Sequence, residues 1–541
     1  MVTPTADTDT PPAADEPRGR PTGLTAAGAA RLGVAGVVAV LVALGTLHAL
    51  VVPPFLPPDE TSHTAYALAL SEGRYPMIDD FPGELPIPGM REGLSVWTSN
   101  HPPLVYLILA VPLRLGIALG EPLAGFHAAR LSGVAAAAAG VALSAVLAAL
   151  VVPRRPDVVV GAAALGGLIP HFVSTAGILY NDAWATLTAT AALVAAALVL
   201  VRGPTRRSLG WLVAAATIAL ATRSSGAAAV AAAAGAAGLG TVLHRRDAWP
   251  WRLAVGIGAA LGVAAVAVTV SAPMYLLNLQ RYGDLTGRAA LLGMFQREPR
   301  APAFQRLAGA SFWRDQQGQL FGQVVEGRYV PAELVLAVRG VVLLAIAALL
   351  AAGVRRAWRW RRHGETPDLA RAATGLMLAC YSAVIVYSVA EFAAVGGSQH
   401  ARYLFPAAAV IGLATAAGLG RLPYGWTLAW TAGAVGLWLA VNLVALRGFL
   451  VETYDLPAST ALAPAAVDAL AERGVPGAGV VVALLLTAGL AGLGCWLTAA
   501  WILARRGRAA TSWLESCPQR STRGVAWPCA GDHRARARAP C

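Results

Sequence analysis

Apolar runs of about 20 residues recur along this chain from Arg31 to Arg505, separated by short polar turns. Each run is long enough to cross ~30 Å of hydrocarbon. In lipid a backbone amide has no water to bond, so each run must satisfy its own hydrogen bonds and does so as a helix. The pattern predicts an all-α polytopic membrane protein. Composition agrees, since 57% of the 541 residues are hydrophobic and 13% are charged, against about 25% charged in soluble globular chains.

Twelve spans are expected, near 32–53, 131–152, 158–179, 183–201, 209–222, 226–243, 253–277, 335–354, 372–392, 403–420, 425–446 and 477–504. The apolar segment 103–120 is a thirteenth candidate, with Pro112 and Arg114 in its middle. If it does not cross, the arginines at 154–155, 202–207, 245–252, 355–371, 421 and 505–508 all fall on the side of Arg18 and Arg20. If it crosses, every one after residue 121 moves outside. Arginine bias in short loops sets orientation, so 103–120 is expected as an interfacial or re-entrant helix after the first exterior loop. Both termini are then cytoplasmic.

This divides the chain into a disordered cytoplasmic tail over 1–30, a transmembrane domain over 31–504, and a cytoplasmic tail over 505–541. The tail over 1–30 is too long and acidic for the start of a cleaved leader, so the first apolar run is expected as a retained anchor. The long exterior loops are 54–130 and 278–334, with shorter ones at 180–182, 393–402 and 447–476.

The net charge of +13 follows the positive-inside pattern, so no nucleic-acid partner is expected. All 42 basic residues are arginine. A P-loop, which needs its lysine, and a lysine Schiff base are therefore excluded. No nucleotide cofactor is expected. Cys380 and Cys495 lie in apolar runs and Cys517, Cys529 and Cys541 in the tail, so no exterior disulfide framework is indicated.

The polar residues that can carry chemistry gather on the exterior side. Pro57-Pro58-Asp59-Glu60-Thr61-Ser62-His63 follows the first span. Asp59 either caps the next helix, with Glu60 solvated, or stands as a general base at the membrane boundary. Ser99-Asn100-His101-Pro102-Pro103-Leu104-Val105-Tyr106 brings a histidine to the start of the surface helix. Tyr180-Asn181-Asp182 is a tight turn, and an acid at that depth needs a partner or a task. Arg223 lies between two short spans, and Arg402-Tyr403 opens a span from Gln399-His400-Ala401. Each arginine is either a snorkelling anchor or a phosphate ligand, because its planar fork binds two oxygens. Tyr282-Gly283-Asp284 reads as a plain turn.

Together these segments resemble the C superfamily of glycosyltransferases (GT-C), which includes protein mannosyltransferases and the aminoarabinose transferases of lipid A. The resemblance rests on Pro58-Asp59-Glu60 with His63, on His101-Pro102-Pro103-Leu104-Val105-Tyr106, on Asp182, and on Arg402-Tyr403 with Pro406. It covers about residues 32–410. It implies a membrane enzyme of the bacterial cell membrane that moves a sugar from a polyprenyl-phosphate donor to a glycan, lipid or protein acceptor of the envelope. Asp59, Glu60 and Asp182 would be catalytic, and His63, His101, Arg223, Arg402 and Tyr403 would bind substrate. Such enzymes often carry a lysine where Arg223 stands, and arginine keeps the charge but changes the geometry. A divalent metal at Asp59 and Asp182 is left open. The rival readings are a lipid or solute transporter or flippase, which would place acids near mid-membrane, and a non-catalytic membrane assembly protein.

Overall fold

A computed structural model describes residues 24–81, 87–89, 94–325, 327–364, 368–422 and 427–516. Most of the expected tail over 1–30 and of the tail over 505–541 lies outside the described residues. The described chain is nearly all helix, with one hairpin pairing Gln323 with Arg328 and Val324 with Gly327.

Ten described helices are long and apolar enough to cross a membrane. They include Ala26–Val51, Pro122–Val151, Asp182–Arg202, Gly226–His244 and the span Ala401–Leu419. Two of the twelve expected spans differ. The run over 158–179 is broken into Pro156–Gly167 and Pro170–Ala176, which bend by 64°. The cause is local: Pro170 has no amide to continue the ladder, and Gly166-Gly167 before it gives little helix support. The run over 209–222 is a helix, Arg206–Thr222, of 17 residues. At ~1.5 Å per residue it is somewhat shorter than the hydrocarbon is thick.

The segment 103–120 forms Leu104–Ala118, a helix of 15 residues. That is about 22 Å, too short to span. It packs on the short helix Glu60–Ser71 and on Pro122–Val151. Arg114 is drawn off its apolar face, donating to Ser71 Oγ at 2.6 Å and pairing with Glu72. Leu107, Val111, Leu115 and Leu119, spaced one turn apart, stay exposed. This is the layout of a helix resting on hydrocarbon.

Burial sorts the spans into centre and rim. The apolar windows of Asp182–Arg202 and Ala401–Leu419 are each 72% buried, whereas that of Ala332–His363 is 11% buried. The two central helices thus carry Asp182 and Arg402 at their first turns. Small residues allow the close approach. A Cβ on Gly412 would collide with the carbonyl oxygen of Ala162 in the broken span. Gly412→Ala is expected to destabilise the folded protein by ~1–3 kcal/mol. Unfolding in mixed detergent checks this, and an unchanged midpoint would contradict such tight packing.

Candidate active site

Two consecutive acids begin the helix Glu60–Ser71, and the structure sends them in opposite directions. Asp59 stands at the N-cap position, yet its side chain makes no capping bond. It pairs instead with Arg402. Of the two readings of Asp59, the cap is not formed; an ion pair 343 residues apart in sequence takes its place, because a guanidinium satisfies the carboxylate better than one backbone amide.

Glu60 is fully buried rather than solvated. Its Oε2 accepts from Arg130 Nη2 at 2.6 Å and its Oε1 from Arg130 Nε at 2.8 Å. The same carboxylate accepts from the backbone amides of Phe55 at 3.0 Å and Leu179 at 2.8 Å. Arg130 is equally buried, and it donates to the carbonyls of Ala49, Val52 and Pro53. Its guanidinium also lies 4.7 Å over the Phe126 ring. One buried pair thus ties the end of the first span to the turn before Asp182. It also holds Phe55 at φ 60°, a left-handed conformation costly for a non-glycine residue. Arg130 sits within the helix Pro122–Val151. Sequence reasoning missed it, since nothing local separates it from a snorkelling arginine.

Asp182 opens its helix, is 2% exposed, and pairs with Arg223. Arg223 follows Arg206–Thr222 in extended conformation (φ −160°), which turns its side chain toward Asp182. The Arg223 guanidinium lies 5.2 Å over the Tyr403 ring. Arg402 lies 5.7 Å over the same ring and 4.6 Å over that of Tyr180. Tyr403 therefore stands between the two ion pairs. Arg402 sits in a 3₁₀ turn, Ala401–Ala407, and its Nε and Nη1 are buried without a hydrogen-bond partner among the described residues.

Histidines and tyrosines line the same place. His63 Nδ1 and the Tyr106 hydroxyl lie 2.9 Å apart, and Asn181 Nδ2 donates to that hydroxyl at 3.3 Å. The His63 ring stacks on Tyr106 at 5.6 Å and on His101 at 6.3 Å. Asp59, His63, His101, Asp182, Arg223, Arg402 and Tyr403, picked from separated segments, therefore converge. Glu60 adjoins them but faces away. Tyr106 and Tyr180 join the group from within motifs already quoted, as does His400 beside Arg402. The Tyr282-Gly283-Asp284 segment is the turn expected, with Gly283 at φ 76° and Asp284 accepting from the amides of Thr286, Arg288 and Ala289.

Burial alone would raise the Asp59 carboxyl, but Arg402 outweighs it and holds the group at about 2. Burial pushes the His63 imidazole down to about 4, against the pull of Asp59. It also lowers His101 to about 3 and His400 to about 4, with Arg223 and Arg402 respectively adding to the shift. The histidines are thus neutral at pH 7. An unfolded chain would protonate them near 6.5, so the stability they carry is present above about 6.5 and lost as pH falls toward 4. Thermal midpoints measured across this window are expected to fall with acidification. The fall should be shallower in His63→Gln, and an unchanged slope would contradict a neutral buried His63.

No protein-family model matches the chain, and no curated protein does. Among solved structures it is similar to ArnT from Cupriavidus metallidurans in the apo state, with 17% identity and a TM-score of 0.43 over 83% of this chain and 72% of that one. For ArnT bound to undecaprenyl phosphate, identity is 17% and TM-score 0.42, over 88% and 77% of the two chains. The Archaeoglobus fulgidus oligosaccharyltransferase with Zn and sulfate gives 14% identity and a TM-score of 0.39, over 75% of this chain and 52% of that one.

A cation at Asp59 and Asp182 fits this donor set poorly. Each carboxylate is neutralised by its own arginine. Among the described residues no group of three or more His, Cys, Asp or Glu side chains could hold a metal ion.

Proposed function

We propose that this chain transfers a sugar from a polyprenyl-phosphate donor to a cell-envelope acceptor at the extracytoplasmic face of a bacterial membrane. The observation that carries this reading is the buried Arg402 guanidinium, paired with Asp59 on one side and holding two unpartnered donor nitrogens on the other. Buried donors without partners are costly, and a lipid phosphate supplies the missing oxygens in the geometry an arginine fork prefers.

Donor binding then prepares the base. A phosphate on Arg402 competes with Asp59 for the guanidinium. Once that contact weakens, burial dominates and lifts the Asp59 carboxyl toward the range where a carboxylate accepts a proton efficiently. The acceptor hydroxyl attacks the anomeric carbon as its proton passes to Asp59. The bond from that carbon to the phosphate oxygen breaks, and polyprenyl phosphate leaves with the electron pair, stabilised by Arg402 and Arg223. Direct displacement inverts the anomeric centre. Asp182 fixes Arg223, while His63, His101 and Tyr403 line the space for the sugar. Glu60, saturated by Arg130 and two amides, serves as a positioning residue.

An apolar cavity of about 320 Å³ adjoins this site, lined by Leu104, Ile108, Trp184, Trp211, Ile218 and Thr222 among others. Trp184 lies two residues beyond Asp182, and Thr222 precedes Arg223. In the proposed reaction the prenyl chain enters there. Mass spectrometry of envelope glycans from cells with and without the protein tests the reading. A sugar modification lost with the protein and restored by the wild-type gene supports it, and identical glycans would overturn it.

A further inference from the structure

At the other end of the bundle lies a second cationic group that the proposed reaction does not use. The span Ala401–Leu419 carries Arg402 at one end and Arg421 just past the other. Arg155, from the turn between two spans, reaches the same place and donates to the Gly420 carbonyl at 3.1 Å. The long helix Ala332–His363 packs on Ala408–Leu419 and carries Arg355, Arg356 and Arg359 past it. Three segments distant in sequence thus carry five arginines to the same end of the bundle.

The helix explains their depth. Its 32 residues extend about 48 Å, some 18 Å more than the hydrocarbon is thick. Its unbroken apolar run ends at Val354, and Arg355-Arg356-Ala357-Trp358-Arg359-Trp360 follows. Trp358 and Trp360 are more than half exposed, as tryptophans are at the headgroup level of a bilayer. Among the described residues, Asp157 pairs with Arg155, while Arg355, Arg356, Arg359 and Arg421 make no ion pair. Burial, then the charges of Arg155, Arg356, Arg355 and Arg359, push the Arg421 guanidinium below its usual range. Among the described residues, Asp157 is the one acid paired with an arginine of this group.

We infer that Arg155, Arg421, Arg355, Arg356 and Arg359 form a binding site for the phosphate headgroup of an anionic phospholipid in the leaflet opposite the acid cluster. Basic pockets between membrane helices take such headgroups. Guanidinium groups from three segments can bridge one phosphate, and the flanking tryptophans fix the depth at which it is met. The occupant is a membrane lipid rather than free phosphate because the site lies where headgroups are concentrated and an apolar helix face continues below it, with Leu350 and Val354 exposed.

The test uses the full-length protein in nanodiscs of phosphatidylcholine with increasing phosphatidylglycerol, with retained lipid counted by native mass spectrometry. The wild type is expected to retain phosphatidylglycerol over phosphatidylcholine by roughly tenfold or more. The combined variant Arg355→Gln, Arg356→Gln, Arg359→Gln should lose that preference. The charge-matched control Arg300→Gln, Arg314→Gln, Arg328→Gln, which alters exposed arginines of the loop 278–334, should keep it. All six side chains are exposed, so neither variant removes packing. Equal retention of both lipids by the wild type would overturn the inference, as would unchanged preference in the first variant. Release of phosphatidylglycerol by millimolar inorganic phosphate, or tighter binding of an acidic peptide than of lipid, would also overturn it.

Discussion

Asp59→Asn is expected to lower sugar transfer by ~10²–10⁴-fold, the usual contribution of a general base, with a smaller loss of stability than Glu60→Gln because Asp59 is 24% exposed and asparagine still offers Arg402 an acceptor. The expectation follows from two properties of Asp59. Its side chain makes no capping bond, so the helix Glu60–Ser71 loses no support when the charge is removed. Its carboxylate is ionised beside Arg402, and a phosphate bound to that arginine would free it for proton transfer. Asparagine keeps the shape and a hydrogen-bond acceptor but cannot take the proton. Parallel assays of transfer in proteoliposomes and of thermal midpoint separate loss of chemistry from loss of fold. Full transfer by the variant would remove Asp59 as the base.

Glu60→Gln should behave in the opposite way, damaging the fold first. Removing one partner of a buried ion pair leaves the other charge uncompensated, at a cost of about 3–5 kcal/mol. Arg130 has five donor positions engaged by Glu60 and by three carbonyls, so it cannot turn away to water. Arg130→Met should cost a similar amount, and the double variant should cost clearly less than the sum of the two, since neither charge is then stranded. Denaturant unfolding of all four proteins measures the coupling. Additive single effects would show that the pair does not act as a unit. Retention of wild-type stability in Glu60→Gln would show that its carboxylate is not what ties Phe55 and Leu179 together.

Much of this was legible in the sequence, for a physical reason. Lipid imposes one solution on an apolar run of this length, so the spans and the short helix over 103–120 could be placed without tertiary information. Of the two exceptions, the break at Pro170 arose because composition reports apolarity rather than straightness, and the run over 209–222 forms a helix of only 17 residues. Asp59, Asp182, Arg223 and Arg402 stood out because charged groups at the membrane boundary are scarce, and the structure brings them around Tyr403. What the sequence hid was pairing. Asp59 read as a helix cap or as a base, with local chemistry unable to choose, because its partner lies hundreds of residues away. Glu60 read as solvated or, by the resemblance, as catalytic, because nothing near it announces Arg130, whose apolar neighbours read as an ordinary span.

The central claim is that Arg402 and its surroundings form a receptor for a lipid phosphate, and direct binding tests it most simply. Purified full-length protein in detergent would be titrated with a polyprenyl monophosphate and followed by calorimetry, beside Arg402→Gln. The account predicts saturable binding by the wild type and affinity weaker by about tenfold or more in the variant, as expected when a charge-assisted bond to phosphate is lost. Equal affinity of the two proteins, or no binding by the wild type, would contradict it.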